Sequence, residues 1–473
     1  MRKALAAVAL AASGCTAVLG DDFQLGDGTG GSGTGGSGTG GVLEPIGEHV
    51  WSMRFGDGVG QSVHAVAVTP FGDVLVGGSF SGEIALPNIA LSAWGLRDAF
   101  VLKLAADGTP VWGRSYGYTG GSASVNALAV DSTGAIYMAG TYDGGIEFGP
   151  GPMMSDGDDA FFVKLTASGA YDSLWFISGP GPQSGRALAV APDDTVYIAG
   201  NYSGEVHIGG ATLTNPAAQA IFVGFVGASG SFEATETFGS MGWAGATAIT
   251  VDSQSNAWLG GAFDYILAFD QSLNSGGGKD MFLAKLDSAL VPSWSSAFGT
   301  SGEDDVGALA AGATGGFALA GYASGPIDLG HGSMAGGGGR DAVVGSYGSN
   351  GAARFTHEAG DAADQSLYAA AVRADGVVFA GGTLAGSADF GLGTLTSAGG
   401  ASDDDALLVA FAADGTPRWS ARAGDTAPQS IAALAPTPDG GIVAAGSFQG
   451  TVDFGGEPLT SAGDVDGFVV KLH

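Results

Sequence analysis

The stretch "DGFVVKLH" (466–473) decides how this chain folds, because of what does not follow it. Similar phrases elsewhere run on into a turn and an aromatic strand. "DAFVLKL" (98–104) leads into "AADGTPVWGRSYG", and "DMFLAKL" (280–286) into "DSALVPSWSSAFG". Working outward from this phrase, four short elements recur seven times each, about 60 residues apart. One is the aromatic strand: "VWSMRFG" (50–56), "VWGRSYG" (111–117), "LWFISG" (174–179), "FEATETFG" (232–239), "SWSSAFG" (293–299), "RFTHEAG" (354–360) and "RWSARAG" (418–424). Another is built from small residues, as in "AVAV" (65–68), "ALAV" (127–130) and "AITV" (248–251). A third reads "VLVGGSFSG" (74–82) or "IYMAGTYDG" (136–144), and the fourth is the "AFVLKL" (99–104) type itself.

All four elements are rich in β-branched, small or aromatic residues and are bounded by Gly, Asp and Ser turns, with no 3.6-residue periodicity. "TPFGD", "DSTGA", "TPDGG" and "ADG" are hairpin signals in which glycine supplies positive φ. Four antiparallel strands repeated seven times predict an all-β, seven-bladed β-propeller. Residue size agrees with that expectation. First strands crowd a central channel and need small side chains, whereas bulky rings fill the widening outer part of each blade. Gly78, Gly140, Gly200, Gly261, Gly321, Gly382 and Gly446 recur at one point of the next strand, where a missing side chain permits close backbone approach. The opening strand "EHVWSMRFG" (48–56) is the spare aromatic element. It is expected to pair with 467–472, supply the piece missing after "DGFVVKLH" and close the ring without an open sheet edge.

Upstream of the repeats, residues 1–14 read as a lipoprotein-type signal peptide. "MRK" is a positive start, "ALAAVALAA" a short apolar run, and "ASGC" places small residues before Cys15, the sole cysteine. This resembles a bacterial lipobox, with Ala12 where Leu is preferred, and the resemblance implies lipidation of Cys15. Residues 15–44 then form a tether. Its "LGDGTGGSGTGGSGTGG" (25–41) buries nothing and spans roughly 20–25 Å as a random coil. Residues 45–473 form the propeller. By resemblance to enterobacterial sorting, Thr16 after the cysteine, where no Asp stands, points to the outer membrane.

The repeats resemble the bacterial seven-bladed β-propeller repeat family, SBBP, through "DGGIVAAGSFQGTVDFGGEPLTSAGDVDGFVVKL" (439–472) and "GSADFGLGTLTSAGGASDDDALLVAF" (386–411). The resemblance implies the fold and an extracytoplasmic setting, and brings no catalytic motif.

Composition narrows function. With 47 acidic against 16 basic residues the net charge is −31, which repels nucleic acid and anionic headgroups. Contact with a membrane is expected only through the lipid. Asp98, Asp159, Asp280, Asp341, Asp405 and Asp466 all precede the fourth element, with Ala220 in the remaining unit; such periodic acids belong to the scaffold. Glu147, Asp328, Asp389 and Asp453 form a second periodic series, replaced by His207 and Ala85 in other units. Clusters at 155–161, 303–307, 402–407 and 463–468 are better site candidates. In "DVDG", Asp464 and Asp466 have an alternating spacing that can wrap Ca²⁺, although no cluster completes a known calcium loop. The six histidines show no ligand spacing, and no nucleophile elbow or phosphate loop occurs. The expectation is a monomeric, non-catalytic envelope lipoprotein without a required cofactor, whose propeller is a binding platform for a protein or glycan. The alternatives are a propeller enzyme acting on glycans or esters and a purely structural envelope protein.

Overall fold

The computed structural model describes residues 23–25, 47–227, 230–239, 242–312 and 315–473. Among these the protein is all-β and built from antiparallel sheets, in a propeller-type arrangement. The first full sheet shows the pattern. Gln61–Val68 pairs with Val74–Phe80, that strand with Asp98–Leu104, and that in turn with Pro110–Tyr116. The same four-strand order follows in each later unit. In the second and third units the sheets merge, where Ile177 and Ser178 pair with Ile208 and His207. Small two-stranded hairpins, such as Glu83–Leu86 with Ile89–Ser92, cap most units at the edge.

In the last unit the fourth strand comes from the other end of the chain. His49–Phe55 pairs with Asp466–Leu472, alongside Ile442–Phe448 and Gln429–Pro436. Backbone bonds link Glu48 and His473 across the gap, with the His473 N–H donating to the Glu48 carbonyl at 2.8 Å. Gly47 lies against the Trp419 ring, as Gly108 of an intact turn lies against Trp51 and Gly169 against Trp112. Gly47 and His473 thus meet where the other units have a hairpin turn. The left-handed glycines in these turns, Gly108 (φ 85°) and Gly169 (φ 77°), leave no room for a Cβ under the neighbouring indole.

The core lies between the faces of neighbouring sheets. One cluster joins Leu75 and Val101 of the first sheet to Val125, Met138 and Phe161 of the second. Another joins Phe55, Val443 and Val469 of the last sheet to Val76 and Phe100 of the first. Each fully buried Phe contributes about 2–3 kcal/mol of burial energy, so these seams carry much of the stability. The inner strands touch one another in sequence, and Gln429–Pro436 touches Gln61–Val68.

Phe23–Leu25, within the segment read as a tether, pairs with Ala421–Ala423 at a sheet edge. That is a difference from the sequence reading: an edge strand offers free backbone groups, and three residues of the leader take them up. Cys15, the signal segment and the rest of the tether lie outside the described residues.

Candidate functional site at one mouth of the axial cavity

Each inner strand departs from regular pairing at one point. The register slips by a residue between Val63 and Ala65, and again around Asn126, Arg186, Thr247, Gly307, Tyr368 and Ala432. His64 and these six residues are β-bulges, which re-aim a side chain and free a backbone group. The recurring glycine of the second strand follows from this. A Cβ at Gly78, Gly382 or Gly446 would collide with the carbonyl oxygen of Ser62, Ser366 or Ser430, pushed towards it by the bulge. Close approach, read from the sequence as the reason for the glycine series, is what the backbone shows.

The seven bulge residues line one mouth of an axial cavity of about 460 Å³. Below it the "ALAV"-type quartets form a waist of about 180 Å³. The freed backbone groups are satisfied by polar side chains, commonly from the adjoining unit. Val63 N–H donates to Ser447 Oγ (3.0 Å), Ala246 N–H to Asn201 Oδ1 (2.8 Å), and Asn126 Nδ2 to the Gly185 carbonyl (2.9 Å). Thr247 Oγ1 donates to the Val306 carbonyl. Ser124 Oγ donates to Asn126 Oδ1 (3.0 Å) and therefore accepts from His64 Nδ1 (2.8 Å). Burial, then the charges of Arg97 and Arg186, lowers the His64 pKa, so this imidazole is neutral near pH 7.

The fifth unit breaks the pattern most. Its bulge residue is Gly307, because the next inner strand's Leu367 carbonyl occupies the space a Cβ would need. Asp305 stands where Ser62, Ser124, Ser184, Ser366 and Ser430 stand in other units, and lines the cavity with Tyr322 and Tyr368. Burial pushes Asp305 up to about 7 despite the nearby Lys279 and Arg186, and its Oδ1 has no protein hydrogen-bond partner. Tyr322 is likewise pushed up to about 12 by burial and by Asp305. Tyr368 is 40% exposed, and Arg186 is exposed.

The acids singled out from sequence fall elsewhere. Asp98 accepts from the Trp94 and Gly95 N–H groups (both 2.9 Å), Asp280 from Gly276 (2.7 Å), Asp341 from Gly337 (2.6 Å) and Asp405 from Ala398 (2.8 Å). They are buried strand-start acceptors. Burial pushes Asp159 and Asp405 up to about 6. Asp328, Asp389 and Asp453 accept from glycine N–H groups two residues on, closing local turns. Glu147 is exposed, and His207 bonds Thr212 Oγ1 (3.0 Å).

Asp464 and Asp466 have separate partners. Asp466 is buried, paired with Arg54, and accepts from Ala462 N–H (2.8 Å); Asp464 is exposed and accepts from Gln449 Nε2 (2.8 Å). The 303–307 cluster also divides: Asp304 is spent on Thr300 and Ser324, whereas Asp305 reaches the cavity. Among the described residues no group of three or more His, Cys, Asp or Glu gathers as a metal site. Motif reasoning missed the bulge ring. Its signal was the one position before each small-residue quartet, which differs in all seven units.

No family model and no curated protein matches the chain. Among solved structures it is similar to Sqt1 from Chaetomium thermophilum at 15% identity and TM-score 0.41, covering 85% of this chain and 84% of that one. It is also similar to the WD40 domain of Neurospora crassa Pan2, at 8% identity and TM-score 0.43, covering 86% and 88%. A glucose dehydrogenase is similar at 10% identity and TM-score 0.36, covering 89% and 99%. These distant likenesses carry no activity to this chain. Its own sheet order defines its class: an all-β protein of propeller type. Within that class the particular feature of this chain is a cavity lined by seven different bulge residues.

Proposed function

We propose that the protein is a seven-bladed β-propeller, closed by the pairing of His49–Phe55 with Asp466–Leu472, that serves as a binding platform with its ligand seated in the axial mouth. One observation carries the binding reading. Scaffold positions repeat from unit to unit, whereas His64, Asn126, Arg186, Thr247, Gly307, Tyr368 and Ala432 are all different and share one cavity. A role that needs only a rigid ring gives no reason for that difference. The blade count is supported by the recurring four-strand order and by the core cluster spanning the last and first sheets. Its volume is in the range of small-molecule sites.

The setting we propose is the bacterial envelope, on a lipidated Cys15, with the outer membrane as the destination. The signal-like start and the resemblance to SBBP repeats support it. Cys15→Ser is expected to release the protein into the soluble fraction; continued membrane association would remove the anchor from the reading.

The function is tested by pull-down and glycan-array screening with the mature domain, wild type against Tyr368→Ala. Reproducible capture of one partner, lost in the variant, is the expected result; capture unchanged in the variant moves the site away from the mouth. Asp305, titrating near neutrality inside a cavity, favours one second reading, a hydrolase or lyase acting on glycans or esters. In that case Asp305→Asn abolishes turnover and spares capture.

A further inference from the structure

We propose that the ligand of the mouth is a saccharide carrying a carboxylate, a uronate-like unit, with Arg186 as its anion receptor. This rests on the mouth being the binding site and adds the ligand's chemistry.

The argument starts from where an acidic protein leaves its few cations. Lys103, Lys285 and Lys471 are paired with Asp73, Asp252 and Asp439, and Arg54 and Arg422 with Asp466 and Asp405. Arg186 has no carboxylate within 4.0 Å among the described residues, although the chain carries 47 acids. It is exposed and lines the cavity. Among the described residues Arg97, Lys279 and Arg340 likewise form no ion pair, although Lys279 lies over the Trp243 ring and Arg340 over that of Tyr322, and their charges act on the lining groups His64, Asp305 and Tyr322. A mouth lined by Arg186 and within the field of these further cations, on a body of charge −31, attracts an anion.

The lining narrows which anion. A single guanidinium in the wall matches one carboxylate, which it can hold by two parallel N–H bonds. A phosphate dianion would face Asp305 with a second charge. Tyr368 offers a half-exposed ring for the C–H face of a sugar. Asn126, Thr247 and Ser430 line the cavity with amide and hydroxyl groups, and Asp305 Oδ1 is an acceptor without a protein partner. About 460 Å³ holds one or two sugar rings.

Asp305 faces Arg186, Lys279, Glu303 and Tyr322, and burial pushes it up to about 7. Its protonation removes the negative charge of the one acid that lines the mouth among the described residues. Uronate affinity should therefore rise as pH falls from 8 to 6, with a proton taken up on binding, and Asp305→Asn should flatten that dependence.

The test is isothermal titration of the mature domain with glucuronate- and galacturonate-containing disaccharides, their neutral glucose and galactose counterparts, and inorganic phosphate. The expected result is binding of the acidic sugars, at least tenfold weaker for Arg186→Gln and for the neutral counterparts, with phosphate failing to compete. Arg186 is exposed, and an unchanged melting temperature of the variant checks its fold. Equal affinity for neutral sugars, or displacement by phosphate, overturns the carboxylate assignment and leaves the mouth itself to the Tyr368→Ala capture result. No heat with any probe overturns the inference outright, and the mouth is then judged by capture alone.

Discussion

The inner strands line a separate cavity at each of their two ends, and the two are built differently. The lower one, about 580 Å³, is lined by the ends of the small-residue quartets and the turns after them: Val68, Val130, Val190, Pro70, Pro192 and Pro438. Its residues are near-repeats, apolar or turn-forming, and lysines on that side pair with turn carboxylates such as Asp73 and Asp439. The upper mouth is smaller, about 460 Å³, yet every unit contributes a different group there. The comparison teaches that volume does not identify a site in a repeat protein. Where seven copies could have agreed and do not, the difference is the information.

The largest effect that would break this comparison is removal of the common frame. Deleting 45–56 strips the partner from Asp466–Leu472, exposes the seam around Val469 and leaves Asp466 buried without Arg54. Breaking a buried ion pair and a sheet edge together should lower the melting temperature by about 10 °C or more and abolish cooperative unfolding. An unchanged melting curve would contradict the closure and dissolve both openings as descriptions.

Next in size is Gly382→Val. Its side chain would strike the Ser366 carbonyl, so the bulge at Tyr368 must straighten or the sheets must part. We expect a loss of about 1–3 kcal/mol in denaturant unfolding together with loss of capture. Retained capture would separate the bulge from binding.

A smaller effect concerns pH. Asp159 and Asp405 are pushed up to about 6 by burial, above their unfolded value of 3.8. Between these limits the folded protein binds protons that the unfolded chain does not, so their penalty is relieved as pH falls from 7 towards 4. Asp439, which burial would raise, is held down to about 2 by Lys471 and Thr437, and its contribution is lost only as pH falls from about 4 to 2. The melting temperature should therefore rise on going from pH 7.5 to about 5 and fall below pH 4. A monotonic fall from 7.5 would mean that the buried acids do not titrate as their surroundings dictate.

The smallest effects on stability sharpen the contrast itself. Tyr368→Ala at the upper mouth and Pro438→Ala at the lower opening should each change unfolding free energy by about 0.5 kcal/mol or less. Only the former should abolish capture. Loss of capture in Pro438→Ala would show that the two openings act as one site.

How much of this was legible beforehand differs from element to element. The recurring strands, the strand-start aspartates and the glycine series were readable because each answers to a local rule: alternation, turn chemistry or the room for a Cβ. The acidic clusters were visible for the same reason, but not how their members divide. Asp304 and Asp305 are adjacent in sequence, but Asp304 sits in the turn before the strand, bonded to Thr300 and Ser324, while Asp305 opens the strand and lines the cavity. Arg186 and Tyr368 belong to no motif and stood out only once the bulges brought them into one cavity.

The sequence by itself determined the all-β repeat, the small inner quartets and the spare aromatic strand, since all of these are set by the period and size of residues along one unit. The partner of "DGFVVKLH" was legible too, as the spare strand 48–56; only the tertiary structure decided that the residue before each quartet is a bulge turned into a shared cavity. The bulges depend on contacts between neighbouring units, as where Asn126 meets Gly185. A pattern within one unit can reveal a missing strand, but not which way a bulged side chain turns when its partner lies in another repeat.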